Sequence, residues 1–249
     1  MTANPTALQL YTLREQLTDD RAGLLTQVAA MGYGAVEPFG ILTDPEGLRA
    51  DLDAAGLFAC SVHASPTGED AEAVVRAART LGADTVIIPY LPPSRFADAD
   101  SVQALARELN ELAAWTASRG LSLGYHNHDF ELSSLVGGVP ALEVLAGHLD
   151  DAVLLEVDTY WAAVGGQDVP ALLRRLGDRV RYLHVKDGPV DDRDDFMTAL
   201  GTGRMPLAEI LTASPSVRWH VVELDRCATD MMTAVRDSLA WLTGRGLGP

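Results

Sequence analysis

Residues 153–185 read VLLEVDTYWAAVGGQDVPALLRRLGDRVRYLHV and contain two apolar, β-branched runs separated by a segment of helical periodicity. The runs Val153–Asp158 and Val180–Val185 have the length and composition of buried strands. Leucines at helical spacing occupy Asp168–Leu176, and Asp168 is a candidate N-cap. A strand, a helix and a second strand in this order predict a βαβ unit, in which the two strands are parallel.

The same alternation repeats along the chain. Eight apolar runs bounded by turn residues predict strands at Ala7–Tyr11, Ala35–Pro38, Cys60–His63, Thr85–Tyr90, Ser122–Asn127, Val153–Asp158, Val180–Val185 and Trp219–Leu224. Eight segments of helical periodicity predict helices at Asp20–Met31, Pro45–Ala55, Asp70–Leu81, Asp98–Arg119, Pro140–Ala146, Asp168–Leu176, Pro206–Thr212 and Thr229–Thr243. Eight strands that are each followed by a helix favour a closed α/β barrel.

An open, doubly wound sheet is the competing architecture, because it has the same alternation of strands and helices. Such a sheet normally carries a glycine-rich phosphate turn after its first strand, whereas residues 11–15 read YTLRE. The chain has 249 residues, a length typical of one (β/α)8 barrel, and it contains no Pro/Ser-rich linker. We therefore predict a single TIM barrel domain over residues 1–249.

The acidic composition limits the partners of the protein. Asp and Glu number 35 against 19 Lys and Arg, which gives a net charge of −16 that repels nucleic-acid backbones and anionic lipids. No apolar run approaches the roughly 20 residues of a membrane span, and residues 1–5 have neither a basic nor an apolar leader region. We expect a cytoplasmic protein without nucleic-acid or membrane partners. Cys60 and Cys227 have no metal-site spacing and are expected to be buried thiols.

Four consecutive predicted strands end in ionisable residues. In a TIM barrel the functional groups lie at the C-terminal ends of the strands, where His126, Asp158, His184 and Glu223 stand. An unpaired buried charge costs several kcal/mol, so these side chains require partners or a metal. We predict that all four bind one divalent metal ion. The alternative for each residue alone is that it caps a strand or pairs with an arginine.

The ligand set indicates which metal to expect. Two imidazoles and two carboxylates favour Mn²⁺, Co²⁺, Fe²⁺ or Zn²⁺ over a site built for Mg²⁺ or Ca²⁺. We expect Mn²⁺ first, with Co²⁺, Zn²⁺, Fe²⁺ or Mg²⁺ as alternatives.

Three residues are candidates for the catalytic groups. Glu223 and His128 are candidate bases, and His128 shares the inward face of its strand with His126. Lys186, the only lysine of the chain, stands two residues past His184 on the same face. The pKa of a lysine falls readily on desolvation, which makes Lys186 a candidate to stabilise an oxyanion or to donate a proton. The alternative is that Lys186 is the one lysine left by a coding bias towards arginine.

Five residues are candidate substrate contacts, with filling of a polar layer or plain packing as the alternative. They are Glu37, His63, His128, Trp161 and Asp225. Trp161 and the neighbouring Tyr160 offer an aromatic wall for the apolar face of a sugar ring. His220 is expected to be structural, and His148 is expected to be solvated.

Several strings of residues at the strand ends match one known family. The most specific are His126–Glu131, HNHDFE, and His184–Asp187, HVKD. Weaker matches lie at Leu10–Arg14, Gly32–Glu37, Glu156–Trp161, Gly201–Gly203 and Val222–Asp225. On these residues the chain resembles the sugar phosphate isomerase/epimerase family of xylose isomerase-like TIM barrels, over nearly its whole length. That family also includes inosose dehydratases, ketose 3-epimerases and apurinic endonucleases.

The resemblance implies the same four metal ligands. The family's ligands are a Glu or His on strand five, an Asp on strand six, a His on strand seven and a Glu on strand eight. In the ketose epimerases, glutamates on strands five and eight bind the metal and exchange the α-proton on opposite faces of the substrate. His126 stands at the strand-five position here, so the resemblance leans towards inosose dehydratases and lyases of 3-keto sugars.

The expected function follows from this resemblance and from the predicted site. We expect a metal-dependent enzyme of isomerase or epimerase type that removes a proton next to the carbonyl of a keto sugar, an inosose or a sugar phosphate, through an enediolate. The alternative is a lyase or dehydratase of the same fold that acts on a 3-keto glycoside or an inosose. A non-catalytic sugar-binding protein and a nuclease are two further classes, and the acidic charge disfavours the nuclease. The expected partner is a small carbohydrate, and a homodimer is one assembly to test.

Overall fold

The computed structural model describes residues 4–247 and contains a barrel of parallel strands. The predicted domain also includes residues 1–3 and 248–249, which lie outside the described residues. The strands of the barrel are β1 (Thr6–Gln9), β2 (Ala35–Glu37), β3 (Phe58–Ala59), β4 (Val62–His63), β5 (Thr85–Ile88), β6 (Ser122–His126), β9 (Val153–Asp158), β10 (Val180–Val185) and β11 (Trp219–Val222). A separate antiparallel hairpin consists of β7 (Leu135–Val136) and β8 (Val139–Pro140).

The nine strands of the main sheet lie in the order β3-β2-β1-β11-β10-β9-β6-β5-β4. The third barrel position is divided between β3, which pairs with β2, and β4, which pairs with β5. Between them, the amide of Cys60 donates to the carbonyl of Val36 at 3.0 Å, and the amide of His63 donates to that of Pro38 at 2.8 Å. These bonds nearly close the barrel, and the predicted (β/α)8 TIM barrel fold is confirmed.

Helices surround the barrel, and the longer ones lie close to their predicted positions. They are α1 (Arg14–Leu17), α2 (Arg21–Met31), α3 (Pro45–Ala55), α4 (Ala71–Leu81), α5 (Ala99–Ala117), α6 (Phe130–Ser133), α7 (Ala141–His148), α8 (Thr159–Val164), α9 (Val169–Leu176), α10 (Leu207–Ala213) and α11 (Met231–Thr243). The carboxylate of Asp168 accepts from the amide of Ala171 at 3.0 Å, as expected of an N-cap. Across residues 4–247, no helix is long and apolar enough to cross a membrane.

The interior of the barrel is apolar near the N-terminal ends of the strands and polar near their C-terminal ends. The apolar layer is a buried cluster formed by Ala7, Ala35, Cys60, Ile87, Tyr182 and Val221. Two residues further along their strands, the same inward faces carry buried polar groups such as Gln9, Glu37 and His184. The large hydrophobic core lies between the outer face of the strands and the helices. This arrangement concentrates ionisable groups at one end of the barrel.

Some local features differ from the sequence-based expectations. Of the predicted strand Cys60–His63 only Val62–His63 forms a strand, β4, and β3 lies just before the predicted range. The short helices α1, α6 and α8 lie outside the predicted helices. Cys60 is buried as expected, but Cys227 is only half-buried, so the expectation of a second buried thiol is wrong. His220 is buried, whereas His148 is exposed at the end of α7.

Candidate metal centre and substrate cavity

A cavity of about 440 Å³ opens at the C-terminal ends of the barrel strands. Four of the five predicted substrate contacts line it, namely His63, His128, Trp161 and Asp225. The fifth, Glu37, is fully buried and does not reach the cavity. Trp161 belongs to the cavity wall, whereas Tyr160 is buried away from it with its hydroxyl near the amide of Val190.

Three of the four predicted metal ligands meet beside this cavity, and one of them, Glu223, belongs to its wall. The ligand atoms of Asp158, His184 and Glu223 lie within 4.8 Å of one another. His184 Nδ1 lies 2.6 Å from Glu223 Oε2, and all three side chains are buried. The fourth predicted ligand, His126, is close to this group, with Nε2 at 3.9 Å from Asp158 Oδ2.

Next to these residues lies a second group, which shares His184 and is here termed the histidine cluster: His63, His126, Glu156 and His184. Glu156 Oε2 is at its centre, at 2.6 Å from His63 Nε2 and 3.1 Å from both His126 Nδ1 and His184 Nε2. Glu156 lies two residues before Asp158 on the same strand, so both side chains point to the same inward face, but Glu156 is not among the predicted site residues. Strand alternation was the available signal, and it cannot distinguish a residue in the layer below from a ligand.

Glu37 borders the histidine cluster. Its Oε2 accepts from Gln9 Nε2 at 2.7 Å and lies 2.8 Å from His184 Nε2, while its Oε1 accepts from the hydroxyl of Ser61. His63 Nε2 lies 3.1 Å from Glu37 Oε2. Glu37 is therefore a partner of two imidazoles. It lies too deep in the barrel to be the substrate contact that the sequence predicted.

Buried carboxylates control the protonation of the imidazoles. Burial alone lowers the pKa of His63, but the charges of Glu37 and Glu156 outweigh this effect and raise that pKa to about 10. Burial also opposes ionisation of His184, yet Glu156 and Glu223 raise its pKa well above the usual value. In contrast, burial and the neighbouring charge of His184 lower the pKa of His126 well below its usual value.

Lys186 lies among three carboxylates, which together with it are here termed the lysine cluster: Asp158, Lys186, Glu223 and Asp225. Lys186 Nζ is 2.6 Å from Glu223 Oε2, 2.6 Å from Asp225 Oδ2 and 2.8 Å from Asp158 Oδ2. Burial would lower the pKa of Lys186, as the sequence suggested, but the three carboxylates raise it well above its ordinary value. The side chain is thus a buried ammonium ion.

His128 projects into the cavity from the loop after β6. Its Nδ1 is buried and has no hydrogen-bond partner among the described residues. Its backbone amide donates to Glu131 Oε2 at 2.9 Å, and the hydroxyl of Tyr125 donates to Glu131 Oε1 at 2.6 Å. Burial, followed by the charge of Lys186, lowers the pKa of His128 to about 4. Glu131, which the sequence analysis did not single out, therefore holds the loop that presents His128.

The group formed by Asp158, His184 and Glu223 fits a divalent metal ion. Asp158 Oδ2 is buried and accepts no aligned hydrogen bond within residues 4–247, and its burial raises the pKa of Asp158 to about 6. An imidazole nitrogen with two carboxylate oxygens is a mixed donor set that Mn²⁺, Co²⁺, Fe²⁺ and Zn²⁺ accept. Asp158, His184 and Glu223 form this set, and His126 stands beside it.

Comparison with known proteins identifies the family. The family described as xylose isomerase-like TIM barrel matches residues 25–243. The chain belongs to the xylose isomerase-like TIM barrel family. Known members of this family are isomerases, epimerases and dehydratases.

Individual xylose isomerase-like relatives are distant. Inosose dehydratases from three strains of Mesomycoplasma hyopneumoniae are 30% identical over 100 residues, which is 40% of this chain and only 30% of the length of those relatives. Inosose dehydratase from Geobacillus kaustophilus is 26% identical over 224 residues, 77% of this chain and 71% of the relative. The crystal structure of a sugar phosphate isomerase/epimerase from Parabacteroides distasonis has a TM-score of 0.78 at 23% identity and covers 97% of this chain and 94% of that one. The structural likeness shows the shared fold.

The buried carboxyl group of Glu131 should make the stability of the protein depend on pH. Burial raises the pKa of Glu131 to about 7, so between pH 4.5 and 7 the folded protein binds a proton that the unfolded chain releases. The contribution of Glu131 to stability is therefore present at pH 5 and is lost as the pH rises through 7. Replacement by the neutral, isosteric Gln removes this dependence. Relative to Glu131→Gln, the wild type should lose about 2–3 kcal/mol of unfolding free energy between pH 5 and pH 8.

Urea unfolding of both proteins at several pH values measures this difference. Parallel stability profiles for wild type and Glu131→Gln would show that the Glu131 carboxyl titrates normally.

Proposed function

We propose that this protein is a divalent-metal-dependent enzyme of isomerase or epimerase type, which removes a proton next to the carbonyl of a keto sugar or inosose and forms an enediolate. One observation carries the proposal: Asp158, His184 and Glu223 converge, beside a buried ammonium ion, next to a cavity of small-molecule size whose wall includes Glu223 and Lys186. Family membership supports the same reaction class, since isomerases and epimerases belong to it.

Asp158, His184, Glu223 and His126 are the residues proposed to hold the metal. When bound, a divalent cation supplies Lewis-acid polarisation of the substrate carbonyl. Mn²⁺ is the first candidate, and Co²⁺, Zn²⁺, Fe²⁺ and Mg²⁺ are the alternatives.

Lys186 is proposed to stabilise negative charge on the substrate oxygen. It is a buried ammonium ion whose Nζ lies at the cavity wall, 5.6 Å from the centre of the Trp161 ring. A preorganised positive charge in a water-poor site stabilises a developing oxyanion strongly. The three carboxylates around Lys186 stabilise its ammonium form, so its proposed role is to supply positive charge rather than a proton.

His128 is proposed as the base that takes the α-proton. His128 lines the cavity, and its buried Nδ1 has no hydrogen-bond partner within the described residues. Glu223, the other candidate, has its Oε2 engaged by both His184 and Lys186. A base must have an available lone pair within reach of the substrate, and this condition favours His128.

Glu156 and Glu37 are proposed to orient the metal-binding imidazoles. The carboxylates face His184 Nε2 and His126 Nδ1, which leaves His184 Nδ1 and His126 Nε2 for a metal. Partners that fix the second nitrogen of a ligand histidine set its tautomer and raise its basicity. The histidine cluster thus holds the imidazoles of the proposed metal site in place.

A dehydratase or lyase that acts on an inosose or a 3-keto glycoside is the second candidate. After the same proton abstraction, loss of a β-hydroxyl or glycosyl group would replace reprotonation. Two observations favour it: a histidine, His126, stands where ketose epimerases carry a second glutamate, and the curated relatives are named inosose dehydratases.

The expected location in the cytoplasm and the homodimer remain predictions made from the sequence.

Replacement of Glu223 by Gln tests the proposed function. The variant keeps the size of the side chain but removes a charged ligand. We expect it to fold, to lose most of its bound Mn²⁺ and to lose about a hundredfold or more of its metal-dependent turnover. Glu108→Gln is the matched control, since Glu108 is a surface residue paired with Arg95 and should leave both quantities unchanged. Wild-type metal content and turnover in Glu223→Gln would refute the proposed site.

Replacement of Glu156 by Gln tests the orienting role of the histidine cluster. The amide cannot accept from all of the imidazoles that surround Glu156 Oε2, so their ring nitrogens should reorient. We expect the affinity for Mn²⁺ to fall about 10–100-fold, measured by competition with a chelator. Glu131→Gln is the control, because Glu131 is equally buried but contacts Tyr125 and the amide of His128. Unchanged affinity in Glu156→Gln, with an intact fold, would assign Glu156 a purely structural role.

A further inference from the structure

We propose that the cavity accepts an uncharged cyclic substrate, a keto sugar ring or an inosose, and rejects its phosphate esters. This inference rests on the proposed function and narrows it to one class of substrate. Three features of the cavity and its loops support it. The only lysine is already paired with carboxylates, the backbone amides of one loop are already bonded to an internal aspartate, and aromatic rings form one wall of the cavity.

The first feature is the lysine cluster. Lys186 is the only lysine of the chain, and no arginine lines the cavity within the described residues. Three carboxylates surround its ammonium group at 2.6–2.8 Å, so the cluster has a net charge of −2 when all four groups are ionised. A divalent metal would bring this charge to zero but would not make it positive. The lysine cluster therefore offers a phosphate dianion no excess positive charge to bind to.

The second feature is the loop after β10, which occupies the seventh barrel position. In many TIM barrels the amides of the loops after strands seven and eight hold a phosphate. Here the buried carboxylate of Asp187 takes that place. Its Oδ1 accepts from the amides of Gly188 at 2.9 Å and Met205 at 3.0 Å, and its Oδ2 accepts from those of Gly201 at 2.8 Å and Gly203 at 3.0 Å.

Gly203 packs directly against the carboxylate of Asp187. A Cβ atom added at Gly203 would lie 2.2 Å from Asp187 Oδ1 and 2.4 Å from the amide nitrogen of Gly188. The glycine is required for the backbone to approach the carboxylate so closely. The string Gly201–Gly203, which resembles the family, thus binds an internal carboxylate rather than a ligand.

The arginines near the cavity mouth also already have partners, which are backbone carbonyls or aspartates. The guanidinium group of Arg14 donates to the carbonyls of Tyr11 and Asp225 at 3.0 and 2.8 Å and stacks over the Tyr11 ring at 4.4 Å. Three arginines on the loops after β10 and β11 pair with aspartates: Arg193 with Asp129, Arg204 with Asp191 and Arg226 with Asp194.

The third feature is an aromatic wall. Tyr11, Phe39, Tyr90 and Trp161 line the cavity, and the rings of Tyr11 and Phe39 pack edge to face with their centres 5.2 Å apart. Tyr90 is half exposed, and its ring meets that of His128 at 5.5 Å between centres. The apolar C–H face of a sugar ring or a cyclic polyol stacks on such a surface, while the carboxylates accept from its hydroxyl groups.

The test compares free and phosphorylated members of substrate pairs on the Mn²⁺-loaded full chain. The panel contains free ketoses, inososes and 3-keto glucosides, together with phosphate esters of the same ketoses. Incorporation of solvent deuterium gives kcat/KM for each compound. We expect kcat/KM to be at least about tenfold higher for the free member of each pair, because the Mn²⁺-loaded site has no excess positive charge to offset the cost of removing the phosphate from water.

A matched pair of variants tests the aromatic wall. Tyr90→Ala should raise KM for the free substrate several-fold with little change in kcat, since the ring contributes binding and no proton transfer. Leu135→Ala, an equally exposed apolar residue outside the cavity, should change neither constant.

The outcomes separate this inference from the proposed function. Equal or higher kcat/KM for the phosphate esters would overturn the inference, while the observed exchange would still support enediolate chemistry. An unchanged KM in Tyr90→Ala would remove the aromatic wall from the argument and contradict the stacking of a ring. Absence of exchange with every compound would overturn the proposed function and this inference together.

Discussion

Charge buried at one end of the barrel must be neutralised, and the arrangement of the whole site follows from this constraint. Two clusters meet the requirement to different extents, because the lysine cluster keeps a net charge of −2, which a divalent metal would bring to zero. In the lysine cluster, one ammonium ion lies among three carboxylates. In the histidine cluster, one carboxylate, that of Glu156, lies among three imidazoles. His184 joins the two clusters, because its Nδ1 faces Glu223 and its Nε2 faces Glu37 and Glu156.

The barrel explains why these groups can be held so closely. Each strand is anchored by apolar contacts on its outer face and, inside, by the apolar layer around Tyr182. The polar layer is therefore carried on rigid strands, whereas His128 and the Gly201–Gly203 loop are held by single carboxylates, Glu131 and Asp187. Rigid strands position the proposed metal ligands, and locally braced loops shape the cavity in which a substrate would lie.

Sequence reasoning predicted the barrel and the convergence of Asp158, His184 and Glu223, because strand alternation and the position of active sites in TIM barrels are general rules. Sequence reasoning could not predict how deep each of these side chains lies below the cavity. Barrel strands are staggered, so Glu37 at the end of its strand is fully buried below the cavity. The role of Glu156 depends on distances between four strands, and the raised pKa of Lys186 depends on three carboxylates from other strands and loops, which no local pattern contains.

The most direct measurement of the central claim combines metal content with proton exchange. The protein is purified without chelator, its bound metal is quantified by elemental mass spectrometry, and it is incubated with Mn²⁺ in D2O with ketoses, inososes and 3-keto glucosides. The account predicts one divalent ion per chain and deuterium at the carbon next to the carbonyl of at least one compound. A chain that binds no metal after Mn²⁺ loading, or that binds metal but exchanges no proton, would contradict it and favour a sugar-binding protein.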